Sequence, residues 1–237
     1  MTEPLFRDDA YLRSCEARVL EVTGDGAIVL DRSVFYATSG GQPGDTGYLE
    51  RTDGSRIEIA ATVYADGKTG HRHLPAAGAA LPEAGEMIVA HVDWSRRYRL
   101  MRMHTALHII CAVLKTKITG CQIGEEESRI DLDMPEPPAR EAIEAEIRAA
   151  VERDMDISTS WISDAELDAN PGLIKSMSVS PPRGSGQVRL VRIGPDFDLQ
   201  PCGGTHVSRT SEVGRIDITK VEKKGKLNRR IRIQLAD

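Results

Sequence analysis

His104 and His108 stand four residues apart, the spacing that brings two imidazoles to one face of a helix. Cys202 and His206 repeat that interval in Pro201-Cys202-Gly203-Gly204-Thr205-His206, where two glycines let the backbone fold both side chains toward one point. One thiolate with three imidazoles is a borderline-soft donor set suited to a single zinc ion, at roughly 2.0–2.3 Å per bond. Two helical histidines alone are as often satisfied polar residues; the matching Cys–His pair makes a shared metal the stronger reading. Zinc proteases carry Glu directly after the first histidine as general base, but Thr occupies position 105, which disfavours peptide hydrolysis. Four protein donors close a tetrahedron, the usual pattern of a structural zinc. Either one donor is weak or displaced, or the site accepts a fifth donor, or the metal only orients the substrate; the expectation is that one of the four coordinates loosely, His206 first among them. His71, His73 and His91 separate from these four and are expected to be surface or sheet residues.

These side chains need a helix and a turn to hold them. Ser95 is the expected N-cap of a helix over Arg96–Lys117, with Leu100, Met103, Leu107, Ile110, Cys111 and Leu114 on one stripe and Gly120 ending it. The residues before it read as β. Arg18–Val22 and Ala27–Asp31 flank a Thr23-Gly24-Asp25-Gly26 hairpin, and Val34–Ala37, Arg56–Tyr64 and Glu86–Val92 are further strands. Such short strands at this spacing predict a small barrel or folded sheet. Beyond the helix, Arg129–Met134 is a strand, Ala139–Asp154 a second helix and Ser158–Trp161 extended. Asp164–Asn170 is a short helix, residues 178–187 a loop, and Gln187–Ile193, Gly214–Val221 and Leu227–Leu235 strands. The expected class is α+β: a barrel domain over residues 1–93, then a domain over 94–237 with an antiparallel sheet packed on the long, zinc-bearing helix.

Composition narrows the function. The chain has 237 residues, 40% hydrophobic and 28% charged, ordinary for a globular protein with a real core. A formal charge of −5 excludes a uniformly basic nucleic-acid binder but not a local patch. Aromatics at 4% disfavour base-stacking platforms. The longest apolar run, Ile109 to Leu114, is far below the roughly 18 residues of a membrane span, and the start lacks an apolar signal region. Four cysteines in such a chain do not resemble a disulfide framework, so a reducing cytoplasm is the expected setting. Residues 215–237 carry eight basic against three acidic residues, a local +5 that includes Lys223, Lys224 and Lys226; Arg96, Arg97, Arg99 and Arg102 add a second run. Of these, Arg96, Arg97, Lys223, Lys224 and Lys226 are the expected phosphate contacts.

HTALH at 104–108 followed by CGGTH at 202–206 resembles the editing domain of alanyl-tRNA synthetases and the free-standing AlaX trans-editing proteins. The stretch from Cys202 onward resembles the second additional domain shared by alanyl- and threonyl-tRNA synthetases. GGQPGDTG at 40–47 resembles the glycine-rich motif of the barrel in larger AlaX proteins; by itself it reads as a surface turn. The three motifs stand in the family's order over nearly the whole chain. The resemblance implies hydrolysis of mischarged tRNA(Ala), removing Ser and, in forms with the barrel, Gly. It implies zinc on His104, His108, Cys202 and His206, with Gly40, Gly41, Gln42, Gly44 and Asp45 lining the acceptor-end site. Gln122, in Thr119-Gly120-Cys121-Gln122-Ile123-Gly124, resembles a substrate-side Gln. Two alternatives remain: a zinc-stabilised tRNA-binding module without turnover, and a threonyl-type editing domain acting on Ser-tRNA(Thr).

Overall fold

The computed structural model describes residues 1–68, 70–177 and 186–236, so most of the loop expected over 178–187 lies outside the described residues. The chain forms two compact units, Met1–Arg99 and Leu100–Asp237.

The first unit begins with β1 (Glu3–Pro4), β2 (Ser14–Val22), β3 (Ile28–Leu30) and β4 (Arg32–Ser33), followed by β5 (Gly47–Arg51), β6 (Arg56–Tyr64), β7 (His71–Pro75) and β8 (Met87–Val92). Six of these close a barrel in the order β2-β3-β7-β6-β5-β8, every pair antiparallel, while β1 pairs only with β4. Alternation along the strands turns Ala17 and Val19, Ile57 and Ile59, and Ile88 and Ala90 into one core with Ile28, Leu30, Val34, Phe35 and Leu49.

Val34–Ala37, expected as a strand, is fully buried but irregular. Its backbone groups are claimed elsewhere: Tyr36 N–H donates to Asp45 Oδ2 (2.6 Å), and Tyr36 C=O accepts from Asp45 N–H (2.9 Å). With those groups satisfied by a loop, no ladder is needed to bury the apolar run. β7 places His71 and His73 in the sheet with both rings buried, so neither is a surface residue.

Helix α1 (Trp94–Leu114) starts one residue before the expected cap. Asp93 caps it instead, its Oδ1 accepting from Arg96 N–H at 3.1 Å. Lys115, at φ +49, ends it in the left-handed region, five residues before Gly120, which belongs to a strand. Leu100, Met101, Met103, Ala106, Leu107, Ile109, Ile110 and Cys111 are all buried, more than one stripe can hold.

The rest of the second unit comprises β9 (Ile118–Gln122), β10 (Ser128–Asp133), α2 (Arg140–Glu152), β11 (Ile157–Ser163), α3 (Asp164–Ala169), β12 (Gln187–Ile193), β13 (Asp198–Pro201), β14 (Ile216–Lys223) and β15 (Asn228–Leu235). These strands form two antiparallel sheets, β14-β15-β10-β9 and β11-β12-β13, where the sequence suggested one. The α+β class stands. A hydrogen-bonded capping box, Ser163 with Glu166, opens α3.

Candidate metal centre

Helix α1 holds His104 and His108 one turn apart, both nearly buried, and the loop after β13 supplies Cys202 and His206. One donor atom from each lies within 4.8 Å of all the others. The imidazole centroids are 4.2 Å apart for His104 and His206, 4.5 Å for His108 and His206, and 5.1 Å for His104 and His108. Cys202 Sγ is 3.5 Å from His104 Nε2 and 3.3 Å from His206 Nε2. A tetrahedron built from zinc–sulfur and zinc–imidazole bonds has S···N edges of about 3.5 Å. The donor types and these edges fit a divalent ion of that kind.

The loop keeps this shape through Arg189 on β12. Its Nη1 donates to Cys202 C=O and to Gly204 C=O, both at 3.0 Å, and its own C=O accepts from Cys202 N–H at 3.1 Å. The neighbouring imidazoles are held from behind. His206 Nδ1 lies 3.1 Å from Thr105 Oγ1, which also accepts from Val207 N–H. His108 Nδ1 faces Gln200 Nε2 at 3.1 Å and Asp198 Oδ2 at 3.4 Å. Partners of this sort fix ring orientation and raise ligand basicity in metal sites.

Electrostatics follow from the crowding. Burial opposes ionisation of Cys202, yet its electrostatic interactions with the crowded imidazoles hold its thiol well below the ordinary value. Burial, then the charges of His104 and His108, push His206 well below the usual imidazole range. For His108 burial acts the same way, but Cys202 and Asp198 outweigh it and raise the group to about 9. Asp198 stays near 2: burial raises it, and His108 and Lys175 more than reverse that.

The other expected site residues fall elsewhere. In the glycine-rich motif, Gly40 and Gly41 are exposed with φ of +55° and +83°. Gln42, Gly44 and Asp45 are buried in the barrel unit. A Cβ on Gly44 would sit 1.9 Å from Thr62 C=O, so only glycine fits there. Asp45 and Arg97, expected at an acceptor end and a phosphate respectively, are paired with each other. Arg97 Nε donates to both Asp45 oxygens (3.0 and 2.9 Å), Nη2 to Asp45 and Val34 C=O, and Nη1 to Ala10 C=O. The two side chains are 0% and 1% exposed, and Arg97 has no route to an RNA phosphate. Arg96 donates to Gly44 C=O at 2.8 Å.

Lys223 and Lys226 are exposed, and Lys224 lies 3.8 Å from Glu222. Much of the surrounding positive charge is matched: Arg230 pairs with Asp131, and Arg232 with Glu222 and Glu127. Gln122 is exposed and accepts from Arg129 Nε at 3.2 Å. Strand alternation puts it on the face opposite Cys121, whose thiol is raised by burial and by the nearby Cys202 charge. A Ser–His contact also occurs in the barrel, Ser33 Oγ to His73 Nε2 at 2.8 Å. Both residues are fully buried and His73 Nδ1 faces Ile28 C=O, so it is a core hydrogen bond. Among the described residues, no helix is long and apolar enough to cross a membrane.

Asp198, Gln200 and Arg189 were not singled out from the sequence, and Thr105 only as the residue standing where zinc proteases carry Glu. Thr105 and Gln200 adjoin or nearly adjoin ligand motifs, which is the one local signal; Arg189 and Asp198 carry none.

Two family models match the chain. Residues 188–232 match the threonyl and alanyl tRNA synthetase second additional domain, and residues 11–96 match tRNA synthetases class II (A). The alanyl-tRNA editing protein AlaX-M of Methanosarcina acetivorans is 38% identical over 246 residues, with all of both chains covered. That of Methanosarcina barkeri is 35% identical, again over both full lengths. The chain belongs to the AlaX-M family of alanyl-tRNA editing proteins. An alanine–tRNA ligase of Pyrobaculum calidifontis is 37% identical over 94% of this chain, a match that takes in 25% of the ligase. Cys202, His206, Arg189 and Asp198 fall inside the second additional domain match, whereas His104 and His108 fall outside both models.

Proposed function

We propose that this protein is a trans-editing hydrolase that deacylates mischarged tRNA(Ala), with Ser-tRNA(Ala) as its substrate and Gly-tRNA(Ala) as the second one to be tested. The observation that carries the reading is full-length similarity to alanyl-tRNA editing proteins in a chain whose histidine and cysteine pairs converge. Residues 1–93 are assigned as the barrel domain with the glycine-rich motif and 94–237 as the editing domain. We place the protein in the cytoplasm, a reducing setting that keeps the Cys202 thiol available.

The four donors are assigned to one zinc ion, which the chemistry of one thiolate and three imidazoles supports. When bound, such an ion would supply a Lewis-acidic centre able to polarise an ester carbonyl. Thr105 keeps His206 Nε2 turned toward the group, and Arg189 keeps the Cys202 loop folded. Neither side chain has a free proton-accepting group placed for general-base work. The aminoacyl ester is already labile, so discrimination is the larger task. A pocket whose polar groups bond a serine hydroxyl leaves them unpaired when alanine enters, which costs more than a missing methylene in an apolar slot. Gly40 and Gly41, exposed at the motif, are assigned to the acceptor end, and Gln122, exposed on β9 of the other unit, to the substrate. Lys223, Lys224 and Lys226 are assigned to phosphate contact.

The test is deacylation of Ser-, Gly- and Ala-tRNA(Ala) and of Ser-tRNA(Thr), using wild type and a folded His104→Ala variant. Hydrolysis of Ser-tRNA(Ala) that spares Ala-tRNA(Ala) and disappears in His104→Ala is expected. Binding without turnover would make it a tRNA-binding module; preference for Ser-tRNA(Thr) would move it to the threonyl side.

A further inference from the structure

A metal-ligating histidine that gives Nε2 to the ion carries its proton on Nδ1, and that proton needs an acceptor. Behind His108 two groups compete for it, Gln200 Nε2 at 3.1 Å and Asp198 Oδ2 at 3.4 Å. An amide NH2 offers hydrogens and no lone pair, so Gln200 cannot receive the proton through that atom. Flipping the amide does not help. Gln200 Nε2 already donates to Asp198 Oδ2 at 2.8 Å, and exchange would set two acceptors against each other there. The carboxylate is the group left to take the Nδ1 proton.

Asp198 is also prevented from turning away. Its side chain is 0% exposed, and Oδ1 is ion-paired with Lys175. The Lys175 backbone is itself pinned: its C=O accepts from Ile118 N–H at 2.8 Å, and Ile118 C=O accepts from Met177 N–H at 2.7 Å. One thiolate on a divalent ion leaves a net positive site, which a buried carboxylate next to a ligand balances.

We infer that Asp198 is the positioning residue of this site, holding His108 as the Nδ1–H tautomer with Nε2 free to ligate, while Lys175 and Gln200 hold the carboxylate in place. The inference rests on reading the four-residue group as a metal site.

The test compares metal-free wild type, Asp198→Asn, Asp198→Ala, Asp198→Glu and Lys175→Met, each loaded with Co2+ alone. Affinity is read by chelator competition, the visible Co2+ absorption reports ligand geometry, and urea midpoints of the metal-free proteins report folding. Wild type is expected to bind one Co2+ per chain. Asp198→Asn and Asp198→Ala should weaken binding about 10–100-fold and alter the absorption band. Asp198→Glu should recover part of the affinity, and Lys175→Met should lose less than Asp198→Ala. Should Asp198→Ala not fold, the near-isosteric Asp198→Asn and the Lys175→Met variant carry the comparison. Wild-type affinity and an unchanged band in the Asp198 variants would overturn the inference and leave the metal reading intact. Failure of wild type to bind Co2+ would overturn both.

Discussion

Replacing Arg97 by Met tests whether the start of α1 is structural or faces RNA. The substitution keeps an unbranched apolar stem but removes a guanidinium that is fully buried. Asp45 then loses its ion pair in the barrel unit, and the Val34 and Ala10 carbonyls lose donors. Breaking a buried, hydrogen-bonded pair from one side costs about 3–5 kcal/mol, because a charge is left uncompensated. With a urea m-value of about 2 kcal/mol/M, the midpoint of the barrel unit should fall by about 2 M. The double variant Arg97→Met/Asp45→Leu removes both charges, though the Tyr36 N–H and the Val34 and Ala10 carbonyls stay without their partners, so it should be more stable than Arg97→Met while remaining below wild type. The assay is urea denaturation followed by tryptophan fluorescence, with tRNA affinity measured well below each transition. A single variant that loses less than about 1 kcal/mol, or one that keeps its stability but weakens tRNA binding, would refute the reasoning.

Acid should weaken the barrel through its buried histidines. Burial holds His73 at about 4 and His71 at about 3. Below pH 6.5 the unfolded chain takes up protons that the folded barrel refuses, so stability is complete above 6.5 and falls as pH drops toward 4. For His73 alone the loss is about 3 kcal/mol, measurable by denaturation at pH 7, 5 and 4. Thr105→Val removes the hydroxyl behind His206 at nearly constant volume. It should lower Co2+ affinity about 10-fold or more, with little change in the metal-free urea midpoint. Reversing Lys223, Lys224 and Lys226 to Glu should weaken tRNA binding and flatten its salt dependence, with deacylation of saturating substrate unchanged.

What the sequence revealed was local. The four-residue interval in α1 fixes that His104 and His108 share a face, whereas the convergence of Cys202 and His206 depends on a loop that Arg189 holds in shape. The periodicity of α1 predicted a helix, but not that Lys115 would end it, because a left-handed lysine leaves no compositional mark. Val34–Ala37 misled because an apolar run reveals burial and not where its backbone bonds go; here they go to Asp45. β5, β7 and β9 were missed because Glu50, Arg51, His71, Arg72 and Gly120 interrupt the alternation that marks a half-buried strand. Asp198 meets His108 across 90 positions of chain, and no spacing rule links such residues. Arg97 illustrates the opposite error: a run of arginines in sequence suggested a partner outside the molecule, and its partner, Asp45, lies inside.

X-ray absorption at the metal edge of the protein as isolated tests the central claim most directly. The account predicts one zinc per chain, with a single sulfur near 2.3 Å and imidazole nitrogens near 2.0–2.1 Å, and loss of the sulfur shell in Cys202→Ser. An oxygen-only shell, or protein that hydrolyses Ser-tRNA(Ala) while holding no metal, would contradict it.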